Sequence, residues 1–160
     1  MTEPAPPPDP FFPLETVQPA GWAVPSGYAN GVAGPGGGRL VFVAGQVGWD
    51  PRTGAFAGDD LAAQAAQALA NVAAVLRAAG AEPCHVARLT WFVTDRAEYL
   101  AARPAIGAAY RAVMGRHYPA MSLLVVQSLL EERAKVEIEA TALVPAAAAG
   151  QGEERAPCPD

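Results

Sequence analysis

The chain has 160 residues, a formal net charge of −5 and a pI of about 5.0. Hydrophobic residues make up 51% of it, which is enough to fill the core of one domain. It shows no cluster of Lys and Arg, which argues against nucleic acid as a partner because phosphates must be neutralised on binding. The longest apolar runs are too short to span a membrane, and the N-terminus lacks the basic and apolar regions of a secretory signal.

The two ends of the chain differ in composition from its middle. Residues 1–20 are rich in proline, which removes backbone donors and predicts a flexible arm. Residues 146–160 predict a disordered tail, so that residues 21–145 form the domain. The cysteines, Cys84 and Cys158, give no disulfide framework, and we therefore predict a cytoplasmic protein.

The domain is predicted to begin with a β-hairpin. A short strand at 28–33, a glycine-rich turn and an apolar strand at 40–46 carry this pattern. The glycine run lacks the Lys-Ser/Thr ending of a phosphate-binding P-loop. The sequence Asp-Pro-Arg-Thr-Gly at 50–54 predicts a second tight turn.

A helix is predicted over residues 60–79. Its apolar residues recur at steps of three and four, and they are Leu61, Ala65, Leu69, Val72 and Leu76. Gly80 is a suitable stop, because it adopts positive φ without strain. The opposite face is predicted to tolerate water or a partner, and its polar residues are Gln64, Gln67 and Asn71.

An apolar strand at 86–93 precedes a second helical region. Pro104 removes a backbone donor, and therefore a short turn at 97–102 and a separate helix at 104–115 are predicted. The apolar side of that helix consists of Ile106, Tyr110 and Val113.

The last hydrophobic block is predicted to be a second hairpin. An apolar strand at 121–127, buried on both faces, is joined by a charged turn to an alternating strand at 134–144. One face of the second strand carries Lys135, Glu137, Glu139 and Thr141. Either Glu137 acts as a general acid/base, or these charged residues form a solvated face.

The element order predicts an α+β domain, with a mixed β-sheet and two helices on one face. The other sheet face also contains apolar residues. A single copy would leave that face in water, which predicts an oligomer.

Four sequence stretches resemble those of the Rid family of reactive-intermediate deaminases, also called the YjgF-like or endoribonuclease L-PSP family. They are FVAGQVGWDPRTG, VLRAAGA, LTWFVTD and YPAMS…VEIEA, and they fall in order within residues 26–144. The resemblance implies a chorismate-mutase-like fold and a homotrimer with a barrel-like centre. It also implies three pockets between neighbouring subunits, each holding a small-molecule metabolite, and no cofactor.

The resemblance also implies site residues. Glu137 matches the glutamate that positions or activates water, and Tyr28 matches a pocket tyrosine. Three polar groups of the family are replaced here: Met121 stands for an arginine that clamps carboxylates, Ala44 for a serine and Gly107 for an asparagine. The protein is therefore expected to be an atypical member.

Met121 offers neither the charge nor the donors of an arginine. Either Trp49, Trp91 and Met121 line a wider, more apolar pocket and contact the substrate, together with Ser122, or the tryptophans and Met121 belong to ordinary core or interface packing. Arg88 or Arg111 either replaces the missing arginine or lies on the surface. The spacing of Cys84, His85 and His117 predicts no metal site.

Two functions remain open from the sequence. The first is water-assisted hydrolysis of an imine- or enamine-like bond, with Glu137 as general base but without the standard 2-imino acid activity. The second is a non-catalytic trimer that binds a small metabolite. An RNase activity is the weakest option, since no basic groove is visible.

Overall fold

The computed structural model describes residues 14–34 and 36–144. The predicted tail and most of the predicted arm lie outside these residues. The strands are β1 (Glu15–Val17), β2 (Gly31–Ala33), β3 (Arg39–Val47), β4 (Val86–Val93), β5 (Ala120–Val125) and β6 (Val136–Val144). The helices are α1 (Leu61–Ala78) and α2 (Arg96–Met114), and a 3₁₀ turn (Pro83–His85) leads into β4.

Four strands form a mixed sheet in the order β3-β6-β4-β5, and β1 pairs with β2 in a separate two-stranded sheet. β6 is antiparallel to both of its neighbours, whereas β4 and β5 are parallel. Both helices pack on one face of the large sheet, and this confirms the predicted α+β fold with two helices on one face. Neither helix is long and apolar enough to cross a membrane, within the residues described.

Both predicted hairpins are wrong. β2 pairs with β1 rather than β3, and β5 pairs with β4 rather than β6. Parallel strands need a crossover connection, and α2 supplies it between β4 and β5. β6 then enters the sheet between β3 and β4, where both of its edges are paired.

The prediction of α1 is confirmed to within one residue at each end. Asp60 caps the helix by accepting a hydrogen bond from the backbone N–H of Ala63 at 2.8 Å. Gly80 follows the helix with a φ of 70°, the left-handed conformation that commonly ends an α-helix. The predicted apolar stripe is buried against the sheet.

The polar residues of α1 do not lie on a wet face. Gln64 and Asn71 are 0% and 4% exposed. The amide N–H groups of Gln64 donate to the carbonyls of Gly58 and Arg133 at 2.9 and 3.0 Å, and its oxygen accepts from Lys135 N at 2.9 Å. Burial is possible because these bonds satisfy the amide, so Gln64 ties α1 to the loop before β6.

The second helix is continuous, which corrects the predicted break at Pro104. The proline lies inside α2 on its exposed side. The helix can hold a proline at this position, because the carbonyl group that loses its hydrogen-bond donor is accessible to water. Ile106, Tyr110 and Met114 form the buried side of the helix.

The sheet has one covered and one open face. Strand register places Val43, Trp91 and Ile138 on the face beneath the helices. Phe42, Phe92 and Glu137 lie on the face that the helices leave open. The prediction that β5 is buried on both faces is wrong for this single chain, in which its large hydrophobic residues Leu123, Leu124 and Val125 are exposed.

Candidate functional site

A cleft of about 170 Å³ lies between α2 and the strands β4 and β5. Residues on one side of α2 form one wall, and the strands form the floor. The lining residues are Gly27, Trp91, Tyr99, Arg103, Ile106, Gly107, Tyr110, Arg111, Tyr118 and Met121. Aromatic and aliphatic residues lie beside two arginines and two glycines in this lining, a mixture of apolar and polar surface that suits a small organic molecule.

The charges that line the cleft are all positive. Arg103 and Arg111 are its ionised side chains, and none of its lining residues is Asp or Glu. Burial raises the pKa of Tyr99, an effect that the nearby Arg103 opposes. Burial also raises the pKa of Tyr110, so that both phenols stay neutral at physiological pH. The cleft therefore favours an anion.

Two aromatic residues fix the shape of the cleft wall. The rings of Tyr110 and Tyr118 stack at 5.7 Å with an interplanar angle of 5°. The Tyr110 hydroxyl donates to the carbonyl of His117 at 2.7 Å, which holds the end of α2 against the segment before β5. These contacts fix the positions of the two rings, so the wall is preorganised for binding.

Trp91 carries an unsatisfied donor. It is 3% exposed, and its indole Nε1 has no hydrogen-bond partner among the described residues. Buried indole N–H groups usually find an acceptor. Trp91 also lines the cleft, but less than 1 Å² of its Nε1 atom is accessible, so this donor is covered by the protein and does not open into the cleft.

The structure brings three predicted substrate-binding residues together in this cleft: Trp91, Gly107 and Met121. Tyr28 is 43% exposed and follows Gly27, which also lines the cleft. The N–H of Ala29 donates to the carbonyl of Pro119 at 2.9 Å and holds this segment beside β5. Tyr28 is therefore at the edge of the cleft.

The predicted catalytic residue lies elsewhere in the single chain. Glu137 is on the open sheet face, opposite Phe92 in the strand register. Its carboxylate packs against Gly45, and the exposed Ala44 is next to it, at the bulge between Val43 and Gln46. Glu137 and Ala44 are thus neighbours, but the sheet separates them from the cleft.

The remaining predicted site residues are also outside the cleft. Ser122 is exposed on the open face, opposite Thr90. Trp49 packs its ring against Phe56, with centroids 5.8 Å apart, at the end of β3. Arg88 lines a second cavity of about 260 Å³ on the open face, with Thr90, Glu139, Ala140 and Thr141. Arg88 therefore does not replace the missing arginine within one chain, whereas Arg111 lies in the cleft.

Arg103 is a member of the site that was not predicted from the sequence. Arg103, Gly107 and Arg111 are spaced by four residues, and this spacing places them on one side of a helix. The expected break at Pro104 hid that relationship, since it put Arg103 outside the helix. Gly45 was missed because a contact between β3 and β6 has no local signal.

The described residues hold no group of three or more His, Cys, Asp or Glu that could bind a metal ion. Cys84 is disulfide-bonded, which corrects the expectation of no disulfide framework. Cys158, the other cysteine of the chain, lies outside the described residues. Cysteine content therefore gives no support for a reducing compartment, and the cytoplasmic location stays a prediction.

The mixed sheet, the two helices on one face and the cleft beside β5 define a Rid/YjgF-like protein. The chain belongs to the endoribonuclease L-PSP family, whose sequence profile matches residues 23–144. The resemblance found in the sequence is thereby confirmed.

Several relatives are similar to this chain. The 2-iminobutanoate/2-iminopropanoate deaminase of Salmonella typhimurium is 38% identical over 109 residues, or 66% of this chain and 80% of that protein. Protein DfrA of Myxococcus xanthus is 35% identical over 66% of this chain and 77% of its own length. A Yersinia pestis protein of the Rid family, YyfB, of unknown function, superimposes with a TM-score of 0.71 and 37% identity, covering 82% of this chain and 98% of that one.

Proposed function

We propose that this chain is an imine deaminase of the Rid family that hydrolyses the C–N bond of an imine- or enamine-like metabolite with an apolar or aromatic body. One observation carries the proposal: the cleft contains Trp91, Gly107 and Met121 in a chain that is 38% identical to a 2-iminobutanoate/2-iminopropanoate deaminase. The aromatic residues in the lining, which are Trp91, Tyr99, Tyr110 and Tyr118, support a substrate bulkier than 2-iminobutanoate or 2-iminopropanoate.

The reaction consumes one water. Water adds to the imine carbon, Glu137 accepts a proton from that water, and the C=N bond becomes a C–N single bond. Return of that proton to nitrogen gives a carbinolamine. Glu137 then transfers the proton of the new hydroxyl group to the amino nitrogen, the C–N bond breaks, ammonia leaves and the carbonyl forms. General base catalysis of this kind requires the carboxylate within hydrogen-bond reach of the attacking water.

A second copy of the chain is needed for that geometry, because the sheet separates Glu137 from the cleft of its own chain. We therefore propose a homotrimer in which Glu137 of one copy faces the cleft of the next. Large apolar side chains on the open face support association, with Leu40, Phe42 and Leu124 exposed by 56%, 74% and 45%. Sedimentation as a monomer at micromolar concentration would contradict this assembly.

The alternative is a non-catalytic trimer that binds a small metabolite in the same cleft. The absence of any carboxylate from the cleft-lining residues favours it. The two candidates differ in one respect: only the enzyme needs Glu137.

The test generates imines with an L-amino-acid oxidase and follows keto-acid formation. We expect this protein to accelerate hydrolysis of the imine from phenylalanine more than that of the imine from 2-aminobutanoate. Glu137→Gln should abolish the acceleration, whereas Glu139→Gln is the matched control, an exposed carboxylate on the same strand. Wild-type rates in Glu137→Gln would reject Glu137 as the base, and no acceleration with either imine would favour the binding protein.

A further inference from the structure

We propose that Cys84 and Cys158 form a reversible disulfide, a redox-modification site that attaches the C-terminal residues to the turn before β4. Cys84 is disulfide-bonded, and the chain has 2 cysteines. Cys158, outside the described residues, is therefore the partner that the same chain offers. Cys158 also lies beyond residues 23–144, which match the family. The site is separate from the proposed function, because Cys84 does not line the cleft.

The strand register brings the end of β6 next to Cys84. Ala142 is opposite Val86, which follows Cys84 by two residues. The two strands are antiparallel, and β6 ends at Val144, two residues further toward the turn that carries Cys84. Residues 145–157 follow, and a segment of that length reaches up to about 45 Å when extended. The chain can therefore return to Cys84 without any change in the sheet.

The turn that carries Cys84 holds it at a fixed position. Pro83 starts this 3₁₀ turn, and the N–H of His85 donates to the carbonyl of Glu82 at 3.0 Å. The N–H of Glu82 in turn donates to Nδ1 of His85 at 2.9 Å. Cys84 is half-buried and is not among the residues of the hydrophobic core. Its sulfur is therefore held at the periphery of the fold, where a small thiol or disulfide can reach it.

This peripheral position favours a reversible bond over a purely structural one. The bond joins a surface turn to a segment beyond β6, so opening it leaves the contacts of the hydrophobic core in place. Accessible disulfides exchange more readily with small thiols, whereas structural ones resist reduction. A reversible bond is also compatible with the predicted cytoplasmic location, where permanent disulfides are rare.

Formation of the bond consumes one molecule of a small disulfide such as oxidised glutathione. The thiolate of Cys84 attacks one sulfur of that molecule, a mixed disulfide forms and the first small thiolate leaves. The thiolate of Cys158 then attacks the sulfur of Cys84, and the second small thiolate leaves. Each protein thiol thus gives up one proton and one electron, and the small disulfide is reduced to two thiols.

The bond should stabilise the fold by a modest amount. In the unfolded chain it closes the whole loop from Cys84 to Cys158. In the folded chain it closes only the segment after Val144, because β4, α2, β5 and β6 are already fixed. The gain depends on the logarithm of the ratio of these two loop lengths. We expect the oxidised protein to melt about 5 °C above the reduced protein.

Peptide mapping tests the connectivity. The full chain is equilibrated in glutathione buffers, its free thiols are blocked, and it is denatured and digested with trypsin without reduction. We expect peptide 78–88 to be joined to peptide 156–160, because trypsin cleaves after Arg77, Arg88 and Arg155. The linked product should disappear as the share of reduced glutathione rises, and it should return on reoxidation.

Three results of the mapping would overturn the proposal. They are two copies of peptide 78–88 joined to each other, blocked thiols at both cysteines in every oxidising buffer, and a linked product that no reducing buffer opens. The first would place the bond between two copies of the chain. The second would show that the bond does not form, and the third that it is not reversible.

Cys158→Ser and Cys84→Ser are the matched variants for the thermal shift. Neither should show a difference in melting temperature between oxidising and reducing buffers, whereas the wild type should. An equal shift in Cys158→Ser would assign the effect to another reaction and overturn the proposal, as would a wild type that melts at one temperature in both buffers. Both measurements are made without an imine, so their outcome is independent of whether the chain hydrolyses one.

Discussion

The carboxylate of Glu137 on β6 packs directly against Gly45 on β3, on the sheet face that the helices leave open. A Cβ at position 45 would overlap the Oε1, Cδ and Cγ atoms of Glu137. The contact is formed at the bulge between Val43 and Gln46, where the register of β3 against β6 shifts. The direction of the Glu137 side chain therefore depends on the absence of a side chain at position 45.

Gly45→Ala should lower imine hydrolysis with little loss of stability. The new methyl group forces the end of a flexible side chain to move, and a displacement of about 1 Å in a catalytic group costs up to about a hundredfold in rate. Steady-state keto-acid formation and the unfolding free energy check this. Gly36→Ala is the control, since a Cβ at position 36 meets no atom within 4 Å. An unchanged rate in Gly45→Ala would show that this contact does not orient a catalytic carboxylate.

Gln64→Leu should destabilise the fold by roughly 2–4 kcal/mol, because buried groups that lose their partner each cost about 1–3 kcal/mol. The groups left without Gln64 are the carbonyls of Gly58 and Arg133 and the N–H of Lys135. Urea unfolding measures the effect. Gln127→Leu, at an exposed position, should stay within about 0.5 kcal/mol. A loss below about 1 kcal/mol in Gln64→Leu would mean that these groups find other partners.

His117 should make stability fall at acid pH. Burial lowers its pKa below the ordinary value of 6.5, an effect that its hydrogen bond to the Val86 carbonyl opposes. Its Nε2 lies 2.6 Å from that carbonyl oxygen. Below about pH 6.5 the unfolded chain binds the proton more readily than the folded chain, so this contribution is present at neutral pH and is lost as the pH falls.

Urea titrations of the wild type and of His117→Gln between pH 7 and 5 isolate this contribution. The difference in unfolding free energy between the two proteins should shrink as the pH falls, because the stabilising effect of neutral His117 is lost only in the wild type. A difference that stays constant over this range would contradict the assignment.

The contrast between α1 and the sheet shows what the sequence could predict. Leu61, Leu69 and Leu76 recur with the period of a helix, and Gly80 marks its end, so the information is local. The pairing of β4 with β5 in parallel is not local, since α2 separates the two strands along the chain. The strand–turn–strand pattern at 121–144 therefore predicted a hairpin of β5 with β6. In the structure, β5 instead follows a crossover through α2 and pairs with β4.

Part of the candidate site could likewise be predicted from the sequence, and part of it could not. Met121 and Gly107 were identified from the family resemblance, and both line the cleft. Arg103 could have been found from its four-residue spacing to Gly107, had α2 been predicted as continuous. The separation of Glu137 from the cleft had no sequence signal, because strand alternation gives the face of a residue but not which face the helices cover.

Met121→Arg tests whether position 121 faces the carboxylate of a bound ligand, with 3-phenylpropionate as the probe in calorimetric titrations. Met121 is half-buried beside the cleft and packs against the hydrophobic core. In the wild type, a third guanidinium would meet the like charges of Arg103 and Arg111, so the gain in 3-phenylpropionate binding should be small. In a variant that also carries Arg103→Gln and Arg111→Gln, the same substitution should raise the affinity for 3-phenylpropionate by about tenfold, because the two like charges are removed.

The matched control is Met121→Gln in the same background, which adds polar atoms without charge and should not raise the affinity. The gain with arginine should be partial, because burial beside the cleft desolvates the guanidinium and no neighbouring polar group supports its orientation. Adding Glu137→Ala to the arginine variant should leave binding intact and abolish keto-acid release, since Glu137 acts on water rather than on the carboxylate. If Met121→Arg fails to improve binding in the double-variant background, position 121 does not face the carboxylate of the ligand.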